Sequence, residues 1–208
     1  MDAALYVILD RGAARGRDLA DLLEAVIAGG CRMVQLREKE WPSGRLLPLA
    51  ERLRARCAAA GVTFVVNDRL DLALAVGADG VHLGQDDLPA RAARPLLRGG
   101  MILGVSTHSL AQARAAQADG ADYVAVGSMF ATATKPEFQL VGPDLIRKLR
   151  GEIRAPLIGI GGITHDNVAE VVRGGADGVA VISAVCGAPD PASATRRFLE
   201  LIRSARAA

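Results

Sequence analysis

Lysine is rationed in this chain, where 22 arginines stand against Lys39, Lys135 and Lys148. Arginine serves wherever any positive charge will do, so a lysine suggests a need for a compact point charge of the kind that suits phosphate oxygens. Lys39 and Lys135 follow short apolar runs, while Lys148 sits inside the helical pattern Leu145, Ile146, Leu149 and reads as surface. Asp68 and Asp87 follow two successive apolar runs. Two carboxylates at neighbouring positions suit a hard divalent cation, Mg2+, that also bridges phosphate oxygens. The same residue types have blander uses: solvated loop lysines, an aspartate capping a helix, or Asp86 in place of Asp87. Asn67 could orient a ligand amine or cap a helix. Gly161-Gly162 removes side chains where a phosphate could approach backbone, and Ser183 adds a hydroxyl, although turn glycines without a ligand look the same. His82, between Val81 and Leu83, reads as a satisfied interior histidine, and His108 and His165 as helix-start residues. No Ser-His-acid set or HExxH pattern stands out. This inventory favours charge stabilisation of phosphate chemistry over nucleophilic catalysis.

These residues need elements that bring them together. Leu5 to Leu9 is a continuous apolar run rich in strand formers, and Leu19, Leu22, Leu23, Val26 and Ile27 then recur at helical spacing until Gly29-Gly30. The unit repeats, with strands expected at Met33 to Leu36, Thr63 to Val66, Val81 to Leu83, Ile102 to Val105, Tyr123 to Val126, Leu157 to Ile160 and Val179 to Ile182. Uninterrupted rather than alternating hydrophobicity means burial on both faces, as in parallel strands covered by helices. Gly77-Ala78-Asp79-Gly80-Val81 recurs as Gly175-Ala176-Asp177-Gly178-Val179, with Gly120-Ala121-Asp122-Tyr123-Val124 a near copy. Glycine there suits a left-handed helix stop, Ala-Asp the turn, and valine the next strand. Eight such units without a leftover segment predict an α/β fold, a single-domain (β/α)8 TIM barrel over residues 1–208, with the polar clusters on one rim. The stretch from Gly127 to Pro143 lacks periodicity and is expected to be a mobile lid.

The formal charge of +2 and the absence of long charge runs argue against nucleic acid or a membrane surface as partner, leaving a small-molecule ligand. Cys31, Cys57 and Cys186 are widely spaced and odd in number, which speaks against disulfides or a zinc site. The first ten residues have too short an apolar run for a signal peptide, and no run approaches a membrane span, so a cytoplasmic enzyme is expected. A homodimer is compatible with the sequence, which isolates no exposed apolar stripe.

In order along the chain stand LYVILDR, QLREK, VND, HLGQDDLP, GVSTH, TATK, GIGGI and VISAV. This series resembles the thiamine-phosphate synthase family over nearly the whole length. The resemblance implies a Mg2+-dependent transferase that joins a pyrimidine carrying a methylene diphosphate to a thiazole phosphate, carboxylated or not, releasing pyrophosphate. It implies that Gln35, Leu36, Arg37, Glu38, Lys39 and Asn67 hold the pyrimidine diphosphate, with Ser106 and Lys135 completing that subsite. It further implies that Thr132, Ala133, Thr134, Gly162, Ile182 and Ser183 hold the thiazole phosphate, and that Asp68 and Asp87 bind the metal. Lys135, Lys39 and Ser106 are then the expected catalytic residues. The chain departs from the usual GPIFPT stretch, with Gly127-Ser128-Met129-Phe130-Ala131-Thr132 in its place. A thiazole tautomerase-like relative, another phosphate-handling barrel isomerase and a ligand-sensing barrel are the alternatives. The tautomerase has little need for QLREK, two metal carboxylates and Lys135 together, and the isomerase has no evident need for Asp68 and Asp87; against a sensing barrel stands only that no rim position named above is replaced by an inert residue.

Overall fold

The structure, a computed structural model, describes residues 3–132 and 139–207. Eight parallel strands form one closed barrel: β1 Leu5–Asp10, β2 Met33–Arg37, β3 Thr63–Asn67, β4 Gly80–Leu83, β5 Ile102–Thr107, β6 Tyr123–Gly127, β7 Leu157–Ile160 and β8 Gly178–Val181. The sheet closes where Leu5 pairs with Val179, Tyr6 with Ala180 and Val7 with Val181. This is the TIM barrel expected from the repeated strand-helix pattern.

The continuous apolar runs split cleanly between two cores. Along β1, Leu5, Val7 and Leu9 face the layer of helices, whereas Tyr6 and Ile8 point into the barrel, where they meet Met33, Val65, Tyr123, Ala125, Ile158 and Ala180. Both faces of every strand are therefore buried, and alternation disappears from the sequence. The helices are α1 Leu19–Ala28, α2 Ser43–Ala60, α3 Leu70–Ala75, α4 Ala90–Ala93, α5 Leu110–Ala118, α6 Pro143–Arg150, α7 Val168–Arg173, α8 Ser183–Cys186 and α9 Pro191–Ala207, with a 3-10 turn at Arg94–Leu96. Among the described residues side-chain caps start three of them: Asp18 accepts from Ala20 N at 2.7 Å, Ser109 from Gln112 N at 3.2 Å and Asp190 from Ser193 N at 3.0 Å. All three cysteines are buried and none is in a disulfide.

One strand ends earlier than its hydrophobicity predicts. β8 stops at Val181 because the Ile182 carbonyl already accepts from Val185 N at 3.1 Å and Cys186 N at 2.8 Å, turning the chain into α8.

The repeated Gly-Ala-Asp turns do more than reverse the chain. Gly77, Gly120 and Gly175 have φ of 61°, 86° and 104°, the left-handed values their composition predicts. Each following aspartate then reaches back to the start of an earlier strand. Asp79 Oδ2 accepts from Phe64 N at 2.8 Å, Asp122 Oδ2 from Leu103 N at 2.7 Å and Asp177 Oδ2 from Leu157 N at 2.7 Å. An arginine completes each clip: Arg54 with Asp79 at 3.2 Å, Arg94 with Asp122 at 2.7 Å and Arg150 with Asp177 at 2.6 Å. These aspartates precede β4, β6 and β8, so all three clips lie on the rim where strands begin, opposite the rim where they end.

Inside the barrel, a glycine makes room for the largest polar side chain. A Cβ on Gly104 would lie 2.0 Å from Cζ of Tyr123, so β5 must be bare there for the ring to cross the interior.

The clips and the far rim should be separable. Asp177→Ala removes a charge-assisted bond to a backbone N–H and is expected to destabilise the protein by about 1.5–3 kcal/mol in denaturant titration. Its arginine partner is part-exposed and adds little. Affinity for phosphorylated ligands at the opposite rim should not change.

Candidate functional site

Strand ends converge on a cavity of about 570 Å³ at the rim opposite the aspartate clips. Its floor is the barrel interior and its walls are the loops after the strands. Gln35, Arg37, Lys39, Asn67, Asp68 and Asp87 line it from β2, β3, β4 and the loops after them. Ser106 lines it from β5, and Thr132, Gly162, Ile182 and Ser183 from the far side. Residues as distant as Gln35 and Ser183 thus share one chamber.

Two residues of the expected set sit elsewhere. Leu36 packs into the layer between barrel and helices, because the period of two that aims Gln35 inward turns its neighbour outward. Glu38 turns toward Arg11, accepting from Nε at 2.5 Å, and also accepts from the backbone of Glu40 at 2.7 Å. Its side chain is nearly covered, and hydrogen bonds from Glu40 and Arg11 hold its carboxyl below the ordinary range against the opposing effect of burial. Ala133, Thr134 and Lys135, and with them the middle of the expected lid, lie outside the described residues. The lid's flanks are fastened, with Ser128 N bound to Gln139 O at 3.0 Å and Phe130 N to Gly161 O at 3.0 Å.

The acidic side of the chamber holds like charges in contact. Burial most of all, then a hydrogen-bonded contact with Asp68, raises the Asp87 carboxyl above the usual carboxylate range, opposed by the Gly84 N–H and by Lys39. Gly84 N donates to Asp87 Oδ2 at 2.6 Å, and Lys39 Nζ lies 3.2 Å from Asp68 Oδ2. Asp68 is also held at φ 60°, a left-handed conformation that costs an aspartate less than most side chains. Its backbone N–H reaches across to the carbonyl of His82 at 2.8 Å, which fixes the residue at the β3–β4 junction. Asp86, the alternative ligand on sequence grounds, lines the cavity from a more exposed position. Two touching carboxylates beside a single lysine form a donor set suited to Mg2+, which takes one or two carboxylates and leaves its other positions to water and phosphate oxygens. Among the described residues no group of three or more His, Cys, Asp or Glu could hold a metal.

On the opposite side, the two glycines are needed by the backbone itself. Gly161 and Gly162 have φ of 98° and 65°, and a Cβ at either would approach within 2.5 Å of Ser128 Oγ or Ala131 O. Asn167 Nδ2 holds the Gly162 carbonyl at 3.0 Å. Beside them, Ser183 opens α8 with its side chain exposed to the chamber.

Further groups line the wall. Arg15 lines the cavity with φ 53°, yet nothing separates it from the other arginines in the sequence. Gln85 Nε2 donates to Ser106 O at 2.6 Å, and His108 Nδ1 lies 2.5 Å from Gly127 O. His82 is interior and satisfied, as its flanking residues suggest, with Nδ1 2.8 Å from Tyr123 Oη and Nε2 2.8 Å from Ser106 Oγ. Burial pushes its pKa down to about 4, so the imidazole is neutral at physiological pH.

Comparison with known proteins gives the chain a family. The family model for thiamine monophosphate synthase matches residues 5–185. The thiamine-phosphate synthase of Moorella thermoacetica is 49% identical over 203 residues, 97% of either chain. That of Chloroflexus aurantiacus is 47% identical, covering 97% of this chain and 94% of its own. Among solved structures, thiamine phosphate pyrophosphorylase from Pyrococcus furiosus superposes with a TM-score of 0.90 at 35% identity, covering 98% of this chain and 97% of its own. A 3-hexulose-6-phosphate synthase at 20% identity and TM-score 0.70 shares the fold. The chain belongs to the thiamine monophosphate synthase family.

Proposed function

We propose that this protein is a thiamine-phosphate synthase, joining an aminopyrimidine methyl diphosphate to a thiazole phosphate with release of pyrophosphate. The observation that carries the reading is the Lys39, Asp68 and Asp87 cluster at one wall of a chamber whose floor is lined by Gln35 and Ser106. The family membership makes it specific.

The pyrimidine lies on the floor between Gln35 and Ser106, with Asn67 beside it, and its diphosphate faces Lys39 and the carboxylate pair. Arg37 lines the same wall, its guanidinium held by Asp10. Bound by Asp68 and Asp87, Mg2+ would supply neutralising charge to the diphosphate oxygens. The aminopyrimidine can stabilise a cation on its exocyclic methylene, so the carbon–oxygen bond breaks with both electrons leaving on pyrophosphate. Lys39, together with Lys135, meets the charge growing on that leaving group. The thiazole, held through its phosphate by Thr132, Thr134, Gly162, Ile182 and Ser183, then attacks through its ring nitrogen. The walls keep water from the cation first, which is the protein's main task once departure is assisted. A tautomerase would have little use for the acidic pair or for Lys39.

Purified protein with both phosphorylated substrates and Mg2+ should release pyrophosphate and form thiamine phosphate in equal amounts. Either substrate alone, or both with excess chelator, should release none. Pyrophosphate release from one substrate, or thiazole isomerisation without coupling, would overturn the proposal.

Lys39→Ala and Lys135→Ala should each slow single-turnover coupling by about 10²–10³-fold, the usual effect of removing one preorganised charge donor. Asp87→Asn should raise the Mg2+ concentration needed for half-maximal rate by at least about tenfold while leaving the melting temperature equal or higher, because it relieves a like-charge contact. Near-normal rates at low Mg2+ in that variant would remove Asp87 from the metal site.

A further inference from the structure

The loop after β1 is fastened on both sides of one residue. Asp10, the last residue of β1, accepts from Ala13 N through its carboxylate at 2.9 Å and from Ala14 N through its carbonyl at 3.0 Å, and Ala14 is fully buried. Farther along, Arg17 N donates to Ala14 O at 3.1 Å, and Arg17 Nη1 donates to the carbonyl of Cys186 at 2.9 Å, which ties the loop to α8. Between these anchors Arg15 and Gly16 take left-handed φ of 53° and 81°. For Gly16 that is ordinary. For Arg15 it is uncommon, and a glycine would hold the same turn with less strain. An uncommon backbone conformation kept under a long charged side chain points to a use for that side chain.

Arg15 enters the chamber beside α8. Strands β1 and β8 adjoin, so their loops are neighbours, and a Cβ on Gly187 would lie 3.4 Å from Arg15 Nε. Gly187 N donates to Ser183 O at 2.9 Å, so the guanidinium stands within one helical turn of the residue that opens α8. Among the described residues, the other arginine and lysine side chains on the chamber wall are already matched, Arg37 by Asp10 and Lys39 by Asp68. Arg15 makes no hydrogen bond or ion pair with any described residue.

The two anionic ends of the substrates are supplied unequally by the residues named so far. The diphosphate meets Lys39 and a cation held by the carboxylate pair, whereas Thr132, Gly162, Ile182 and Ser183 are all neutral. A phosphate monoester carries about −1.5 to −2 charges at neutral pH, and an anion withdrawn from bulk water without a counter-charge is poorly stabilised. A guanidinium suits that need, because its planar fork offers two parallel N–H groups to phosphate oxygens.

We propose that Arg15 is a further binding residue on the thiazole side of the chamber, its guanidinium contacting the thiazole's phosphate and supplying the positive charge that Thr132, Gly162, Ile182 and Ser183 do not. This rests on the synthase reading and adds a residue to it from a loop that carries none of the others.

The test titrates the full chain calorimetrically with the thiazole phosphate and with the thiazole alcohol that lacks the phosphate. Arg15→Ala should cut the preference for the phosphate over the alcohol by about 10–100-fold, the loss of one charge-assisted contact. Arg15→Lys, which keeps the charge without the fork, should lose less. Arg15→Gly removes the side chain and relieves the backbone, so it should melt at or above the native temperature and still lose the preference as Arg15→Ala does. Affinity for pyrophosphate with Mg2+ should be unchanged in all three. A preference left intact in Arg15→Ala, a native-like preference in Arg15→Gly, or an equal loss of pyrophosphate affinity would overturn the proposal. So would a loss seen only with the carboxylated thiazole, which would put the guanidinium on the carboxylate instead. Coupling by the native protein is scored separately. Pyrophosphate release from both substrates together with an intact preference in the variants sinks the Arg15 contact alone, whereas a native protein that neither couples nor distinguishes the phosphate from the alcohol sinks the synthase reading with it.

Discussion

Pairing of β8 with β1 is the contact on which the site depends. An open sheet of the same eight strands would also carry its loops along one edge, but Gln35 on β2 and Ser183 after β8 would then stand near opposite ends of it. Closure through Leu5, Tyr6 and Val7 makes them neighbours across a chamber. It also creates an interior that water does not fill, where hydrogen bonds between Gln35, Tyr6, Tyr123, His82 and Ser106 are worth more than at a surface and where an unpaired group would be costly.

The two rims divide the labour. Where the strands begin, each of three aspartates accepts a backbone N–H and pairs with an arginine, so charge there is matched and local. Where the strands end, Asp68 and Asp87 touch beside Lys39, and Asp68 is held in an uncommon backbone conformation. Such an arrangement costs stability in the absence of a cation, and strain of this sort gathers where a ligand will relieve it.

Much of this was legible beforehand. Strand and helix positions followed from continuous apolar runs and glycine stops, and Lys39, Asp68, Asp87, Gln35 and Ser183 reached one cavity as their joint positions implied. The Gly-Ala-Asp turns were visible too, but not the reach of each aspartate back to a strand fifteen or more residues earlier, since a carboxylate in a turn looks the same whichever backbone it meets. Leu36 and Gln35 looked alike in the string QLREK, yet which of them faces inward depends on strand phase, and a strand buried on both sides hides its phase. The resemblance implies a ligand contact for Glu38, but Arg11, from another loop, holds its carboxylate instead.

Hardest to read were Tyr6 and Tyr123. Each sits in an apolar run where a tyrosine passes for a strand former, and they are 117 residues apart. Only the bare backbone of Gly104 lets the Tyr123 ring lie across the interior far enough to meet Tyr6 and His82. A glycine inside a strand weakens it unless something needs the space. Here the space is taken by an aromatic ring whose hydroxyl has two partners, so the local loss in β5 is the condition for a polar chain that spans five strands. Local propensity and the site's needs conflict at that one residue. The fold settles the conflict in favour of the site, because the surrounding strands are buried on both faces and hold β5 in register without help from a side chain at Gly104.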